Sequence, residues 1–213
     1  MNKPQRLILT LFLLLSPWQL LFAEMSVLEH LQTLLNQLKT YQTDFEQVIT
    51  NSEHSVIEKS KGKFTVKRPG KFFWQYTSPY EQKIIADGET LFIYDIDLDQ
   101  VTLKNQTGVL HGTPASLLSY QSPVKQNFIV DLESKQGNNY WISLKPKKEE
   151  SGFEKLMLTF SKDKLIEMDI LDQLGQMTHF KFTNIINNPE IGDAFFQIKI
   201  PEGVDVLDAR TKL

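Results

Sequence analysis

From Phe64 onward the hydrophobic period of this chain is close to two, and it stays so almost to the C-terminus. Phe64 and Val66 alternate with Lys63, Thr65 and Lys67; past the turn Arg68-Pro69-Gly70, Phe72, Trp74 and Tyr76 alternate with Phe73, Gln75 and Thr77. Asp87-Gly88, a favoured hairpin dipeptide, separates Lys83 to Ala86 from Thr90 to Asp95, and Gln100 to Lys104 follows. Strands resume at Phe128 to Leu132, Tyr140 to Leu144, Leu156 to Phe160, Leu165 to Leu171 and Met177 to Ile185. A last pair, Phe196 to Ile200 and Val204 to Val206, flanks Pro201-Glu202-Gly203. About eleven short strands at this spacing predict a mainly β chain, an antiparallel barrel or a strongly curved sheet.

Helical signals stand in two places. Ser26-Val27-Leu28-Glu29 has the spacing of a capping box, in which serine hydroxyl and glutamate carboxylate satisfy orphan amides at a helix start. Leu28, Leu31, Leu35 and Leu38, with Leu34, Tyr41, Phe45 and Val48, recur at three- and four-residue steps and predict one apolar stripe. Thr113-Pro114-Ala115-Ser116-Leu117-Leu118-Ser119-Tyr120 sets a capping threonine before a first-turn proline, which predicts one or two helical turns over 113–120 with an apolar edge of Leu117 and Leu118.

Residues 1–23 read as a cleaved export signal: Lys3 and Arg6 lead, Leu7 to Leu15 is almost wholly apolar, Pro17 breaks the run, and cleavage is expected near Ala23. The apolar run is too short to span a bilayer core of roughly 30 Å. Residues 24–213 are expected to fold as a single domain. Without the signal, 21 basic side chains face 26 acidic ones, a net of −5, so no nucleic-acid partner is expected. The chain has no cysteine, which excludes a disulfide staple and an acylated N-terminal cysteine. An exported chain of this kind points to the periplasm of a Gram-negative cell.

A search for catalytic groups finds little. His30, His54, His111 and His179 lack metal-ligand spacing, and there is neither a Gly-x-Ser-x-Gly elbow nor a phosphate-binding glycine loop. No catalytic residue, metal or cofactor is implied. Asp95-Ile96-Asp97-Leu98-Asp99 opens like a calcium loop but places Gln100 and Gln106 where glycine and glutamate are needed, so it reads as an acidic hairpin tip. Lys145 to Glu150 reads as a solvated hairpin loop. Past the signal the chain has two arginines, Arg68 and Arg210. A guanidinium at a turn between strands suits clamping of backbone carbonyls, although composition alone favours a surface arginine. The aromatic stripe of Phe72, Trp74 and Tyr76 fits either a packed core or a lined cavity.

These residues resemble a family. Val66-Lys67-Arg68-Pro69 with Phe72 and Trp74, then Ser78-Pro79, Asp87-Gly88-x-Thr90-Leu91-Phe92-x-Tyr94-Asp95 and Asp99-Gln100-Val101-Thr102, look like the periplasmic outer-membrane lipoprotein carriers of the LolA family. The export signal, a leading helix with Phe45 and Gln47, the Thr113-Pro114 helix and the Pro201-x-Gly203-Val204 turn extend the likeness over the whole mature chain. The resemblance implies a half-open antiparallel β-barrel of about eleven strands, covered by an α-helical lid and enclosing an apolar cavity. It implies acylated lipoproteins as cargo, received from an inner-membrane ABC transporter and passed to the outer-membrane receptor lipoprotein LolB by a monomeric, non-enzymatic carrier. On this likeness Arg68 is the lid clamp, Phe72, Trp74, Tyr76 and Ile84 line the acyl-chain site, and Leu117 and Leu118 close it. Ala115 and Ser116 are smaller than the pattern suggests, and the tail from Asp208 to Leu213 is short. The same half-barrel recurs in regulators that sense lipids or lipoproteins; those carry a second domain, for which this chain is expected to have no room.

Overall fold

The computed structural model describes residues 25–107, 114–148 and 151–210; the expected export signal, Thr113, His111 and the end of the Lys145 to Glu150 loop lie outside them. Helix α1 runs over Val27–Gln37 behind a complete capping box: Ser26 Oγ accepts from the Glu29 amide at 3.2 Å, and Glu29 Oε2 accepts from the Ser26 amide at 3.0 Å. Val27, Leu28, Leu31 and Leu35 are its buried face.

The expected stripe does not continue as a helix. Leu38 is already extended, and Thr40–Thr50 is strand β1. Tyr41 and Phe45 are four apart, a spacing that fits period two as well as a helical turn, and Thr40, Thr43, Val48, Ile49 and Thr50 are β-branched residues that lose rotamer freedom in helices. Tyr41, Thr43, Phe45 and Gln47 face inward, whereas Val48 lies on the opposite face between Lys59 and His179.

Eleven strands then follow: β2 Val56–Lys67, β3 Lys71–Ser78, β4 Gln82–Asp87, β5 Thr90–Asp95, β6 Gln100–Asn105, β7 Phe128–Gln136, β8 Asn139–Pro146, β9 Phe153–Ser161, β10 Lys164–Asp172, β11 Met177–Asn187 and β12 Asp205–Asp208. They form one unclosed sheet in the order β12-β6-β5-β4-β3-β2-β1-β11-β10-β9-β8-β7. All neighbours are antiparallel except β12, which lies parallel to β6. Residues 96–99 form the hairpin tip between β5 and β6, with Asp99 in the left-handed region. The short helices α2, Pro114–Ser119, and α3, Val124–Asn127, lie between β6 and β7.

The inner face of the sheet carries the main core. Phe45 packs on Trp74, Tyr76 and Phe180 at ring separations of 5.1, 5.3 and 5.9 Å, and Phe64 lies 4.3 Å from Trp74. Gly62 allows this: a Cβ there would stand 1.9 Å from the Gln75 carbonyl and 2.7 Å from the Phe45 ring.

A second, smaller cluster of Tyr94, Val101 and Leu103 is covered by Ile198 and Val204. The segment Phe196 to Ile200 is therefore not a strand. Asp193–Phe196 is a 3-10 turn that buries Phe196 and sets Phe195 against Phe73 at 5.4 Å, and the chain then runs irregularly to β12. Its apolar residues cover the outside of the sheet, packing on a face instead of pairing with a strand edge.

Candidate functional site: the lid and its latch

Arg68 follows directly on β2, and its side chain is turned under the lid, with 7% of the residue exposed. Nη1 donates to the main-chain oxygen of Leu35 on α1, and Nη2 donates to that of Tyr120, just past α2. The surface position favoured by composition is thus overturned. Among the described residues Arg68 has no carboxylate partner, and Nε is buried without a hydrogen bond. Burial pushes its pKa down to about 10. The guanidinium therefore stays charged near neutrality, and both bonds are charge-assisted.

The other residues singled out in the sequence come together in one cluster. Phe72, Trp74, Leu117 and Leu118 are buried, and Tyr76 and Ile84 are half-buried against them. Behind Phe72 and Trp74 the apolar interior that the resemblance implies is packed with Phe45, Phe64 and Phe180. Between α1, Leu118 and the inner residues Val66, Leu158, Phe160 and Leu165 there remains an apolar void of about 10 Å³, room for about one water molecule. Tyr76 and Ile84 instead reach an open cleft of about 590 Å³ at the far end of the barrel, with Gln47, Glu58, Asp95 and Leu98 around it. Tyr76 Oη donates to Gln47 Oε1 at 2.9 Å on this side. Burial raises the pKa of Tyr76 to about 12 and that of Tyr41 further, so both phenols are neutral inside.

Three parts of the site are given no role there by the sequence. Phe45, Phe64 and Phe180 fill the barrel, and strand alternation is the signal that points to Phe64 and Phe180. Tyr120 stands at the end of the expected helix, and nothing local marks its carbonyl as an acceptor. Gln106 is fully buried just past β6, between the lid and two hairpin turns, in a place that only the fold brings together. What these groups do chemically is tie two helical segments to the sheet over an apolar interior. Among the described residues no cluster of His, Asp or Glu could hold a metal ion.

The family model for the outer membrane lipoprotein carrier protein LolA matches residues 36–199. An outer-membrane lipoprotein carrier protein of Methylococcus capsulatus is 37% identical, over 87% of this chain and 89% of the relative. One from Legionella pneumophila strain Paris is 41% identical over 84% of this chain and 88% of its own. Among solved structures, an uncharacterized conserved protein from Thermus thermophilus shares the fold, with a TM-score of 0.53 and 13% identity over 85% of this chain and 96% of that one. With the match spanning the half-barrel, α2 and Arg68 alike, this chain belongs to the outer membrane lipoprotein carrier protein family, LolA.

Proposed function

We propose that this protein is a periplasmic chaperone that shields the acyl chains of lipoproteins between two membranes, and that Arg68 is the latch of its lid. The family is one of carriers and not of enzymes. Each CH₂ withdrawn from water is worth about 0.8 kcal/mol, so a lipid-tailed protein needs an apolar compartment to cross an aqueous space. The observation that carries the reading is the pair of Arg68 bonds, which join two lid segments above a closed apolar interior. The void of about 10 Å³ beneath α1 and Leu118 admits no acyl chain, so loading between lid and wall requires the lid to move.

Hydrogen bonds to a charged group contribute about 1.5–3 kcal/mol each, a cost that cargo binding can meet and that closure returns when cargo leaves. In this reading Phe72, Trp74, Tyr76, Ile84, Leu117 and Leu118 line the compartment once the lid has lifted. The donor of cargo is an inner-membrane ABC transporter and the acceptor is the receptor lipoprotein LolB. Residues 1–23 are the export signal, and residues 24–213 work as one monomeric domain.

Lipopeptide binding and hand-over test this. Wild-type protein is expected to form a soluble complex with a triacylated peptide and to release it to the receptor. Arg68→Leu weakens the closed state, so apparent affinity rises at least about tenfold and transfer slows. Transfer at the wild-type rate by Arg68→Leu would overturn the latch, and absence of any soluble complex would overturn carriage.

A further inference from the structure

The lid is attached to the barrel on two sides by different means. On one side, α1 and α3 lie on β7, and α1 also on β8. The Leu28 amide donates to Glu133 Oε2 at 3.2 Å, and the His30 ring stacks on Tyr140 at 4.1 Å. The Val124 amide at the start of α3 donates to Gln32 Oε1 of α1 at 2.8 Å, which joins the two helices.

On the other side, α2 lies on β2, and its end is held by Gln106. Gln106 Nε2 donates to the Gly70 carbonyl at 2.5 Å and to the Tyr120 hydroxyl at 2.8 Å. Its Oε1 accepts from the Gly88 amide at 3.0 Å. One fully buried amide therefore ties the β2–β3 turn, the β4–β5 turn and the lid together. The Gly70 amide donates to the Ser119 carbonyl at 2.7 Å, beside the same contact. Gly70 has φ +76°, and a Cβ there would stand 3.3 Å from the Tyr120 ring, so the turn is shaped to receive that side chain. Residues 120–123 between α2 and α3 have no regular structure.

We propose that the lid opens as two leaves and that Gln106 is the positioning residue that keeps one of them, α2 with Tyr120, on the barrel wall. The other leaf is α1 with α3. Arg68 belongs to the fixed side through β2 and Tyr120, and only its Nη1 bond to Leu35 reaches across the seam. Opening then breaks the Leu35 bond and the apolar contacts of α1, while Gln106 keeps its three partners. A buried amide suits this role because leaving its donors and acceptor unpaired costs about 1–3 kcal/mol per group.

The inference rests on the reading of Arg68 as a latch, but its test needs no cargo. Because the chain has no cysteine, spin labels can be placed at Gln37→Cys with Gln121→Cys across the seam, and at Glu89→Cys with Gln121→Cys on the fixed side. All three positions are exposed. With Arg68→Leu, the 37–121 distance is expected to shift to longer values while the 89–121 distance stays as in the wild type. Adding Gln106→Ala, or the milder Tyr120→Phe that removes only the hydroxyl, is expected to broaden the 89–121 distribution. A 37–121 distance unmoved by Arg68→Leu, an 89–121 distribution already broadened by it, or one that neither added variant broadens would overturn the two-leaf lid. Failure to bind lipopeptide would instead count against carriage and leave these distances standing.

Discussion

The guanidinium of Arg68 donates to the main-chain oxygen of Tyr120, 52 residues further along the chain, while its other terminal nitrogen reaches Leu35, 33 residues back. Two carbonyls held at fixed separation match a planar fork and not a single ammonium. Arg68→Lys is therefore expected to keep the charge but lose one of the two bonds. At about 1.5 kcal/mol or more per bond, the open population rises roughly tenfold. In transfer assays the lysine variant should resemble Arg68→Leu; wild-type transfer would mean that charge alone holds the lid.

Much of the wall was legible because strand alternation and turn dipeptides are local signals. The pairing of Trp74 with Phe64 follows from the register set by the Arg68-Pro69-Gly70 turn, and its pairing with Ile84 from the short Pro79-Tyr80-Glu81 connection on the other side. The burial of Arg68 was not legible from composition, and only the family likeness pointed to a clamp, since its acceptors are main-chain atoms that any residue supplies and that lie far away in sequence. The stretch from Tyr41 to Val48 misled because two residues four apart satisfy both periods, and β-branching decides it for the strand. The aromatic stripe left open whether the barrel is filled or hollow. The answer depends on the reach of Phe45 over Gly62 and of Phe180 from β11, and both contacts are set by tertiary structure.

Gly62→Ala is expected to be among the most damaging single-methyl changes in the barrel. The added carbon would meet the Gln75 carbonyl at 1.9 Å and the Phe45 ring at 2.7 Å, so a backbone atom and a core ring must both move. Overpacking of this kind costs about 1–3 kcal/mol, and the backbone clash places this site at or above the upper end. Urea denaturation reads the loss as a lower midpoint; an unchanged midpoint would show that β2 and β3 can part freely at this bulge.

Ser26→Ala tests whether α1 can be loosened without touching the sheet. It removes the oxygen that caps the Glu29 amide, and with it the reciprocal geometry of the box. The expected loss is about 1 kcal/mol, or roughly fivefold faster hydrogen exchange in the first turns of α1. Amides of β9 and β10 should exchange as before. Faster exchange throughout the sheet would mean that α1 and the barrel unfold as one unit.

Acid should release the outer C-terminal segment before it releases the lid. Lys67 and Lys71, whose ammonium groups lie 2.7 and 3.4 Å from Asp193, hold its carboxyl below the ordinary range. Lys145 and Lys155 do the same for Asp131. A carboxyl whose folded pKa is lowered contributes stability above its unfolded value of about 4 and loses it as pH falls through the lower folded value. Asp193 is at the start of the 3-10 turn that covers the outside of β3 and β4, so its protonation loosens that cover. Arg68, brought down to about 10 by burial, keeps its proton and its carbonyl partners throughout this range. The protection of the Phe195 and Gln197 amides, taken relative to the intrinsic exchange rate at each pH, should therefore fall between about pH 5 and pH 3 while that of the Gly70 amide under the lid is kept. Asp193 is exposed, so high salt at neutral pH should reproduce part of the effect. Asp193→Asn should already show the faster exchange at pH 7 and respond little to acid, and a full acid response in that variant would assign the effect to other carboxylates.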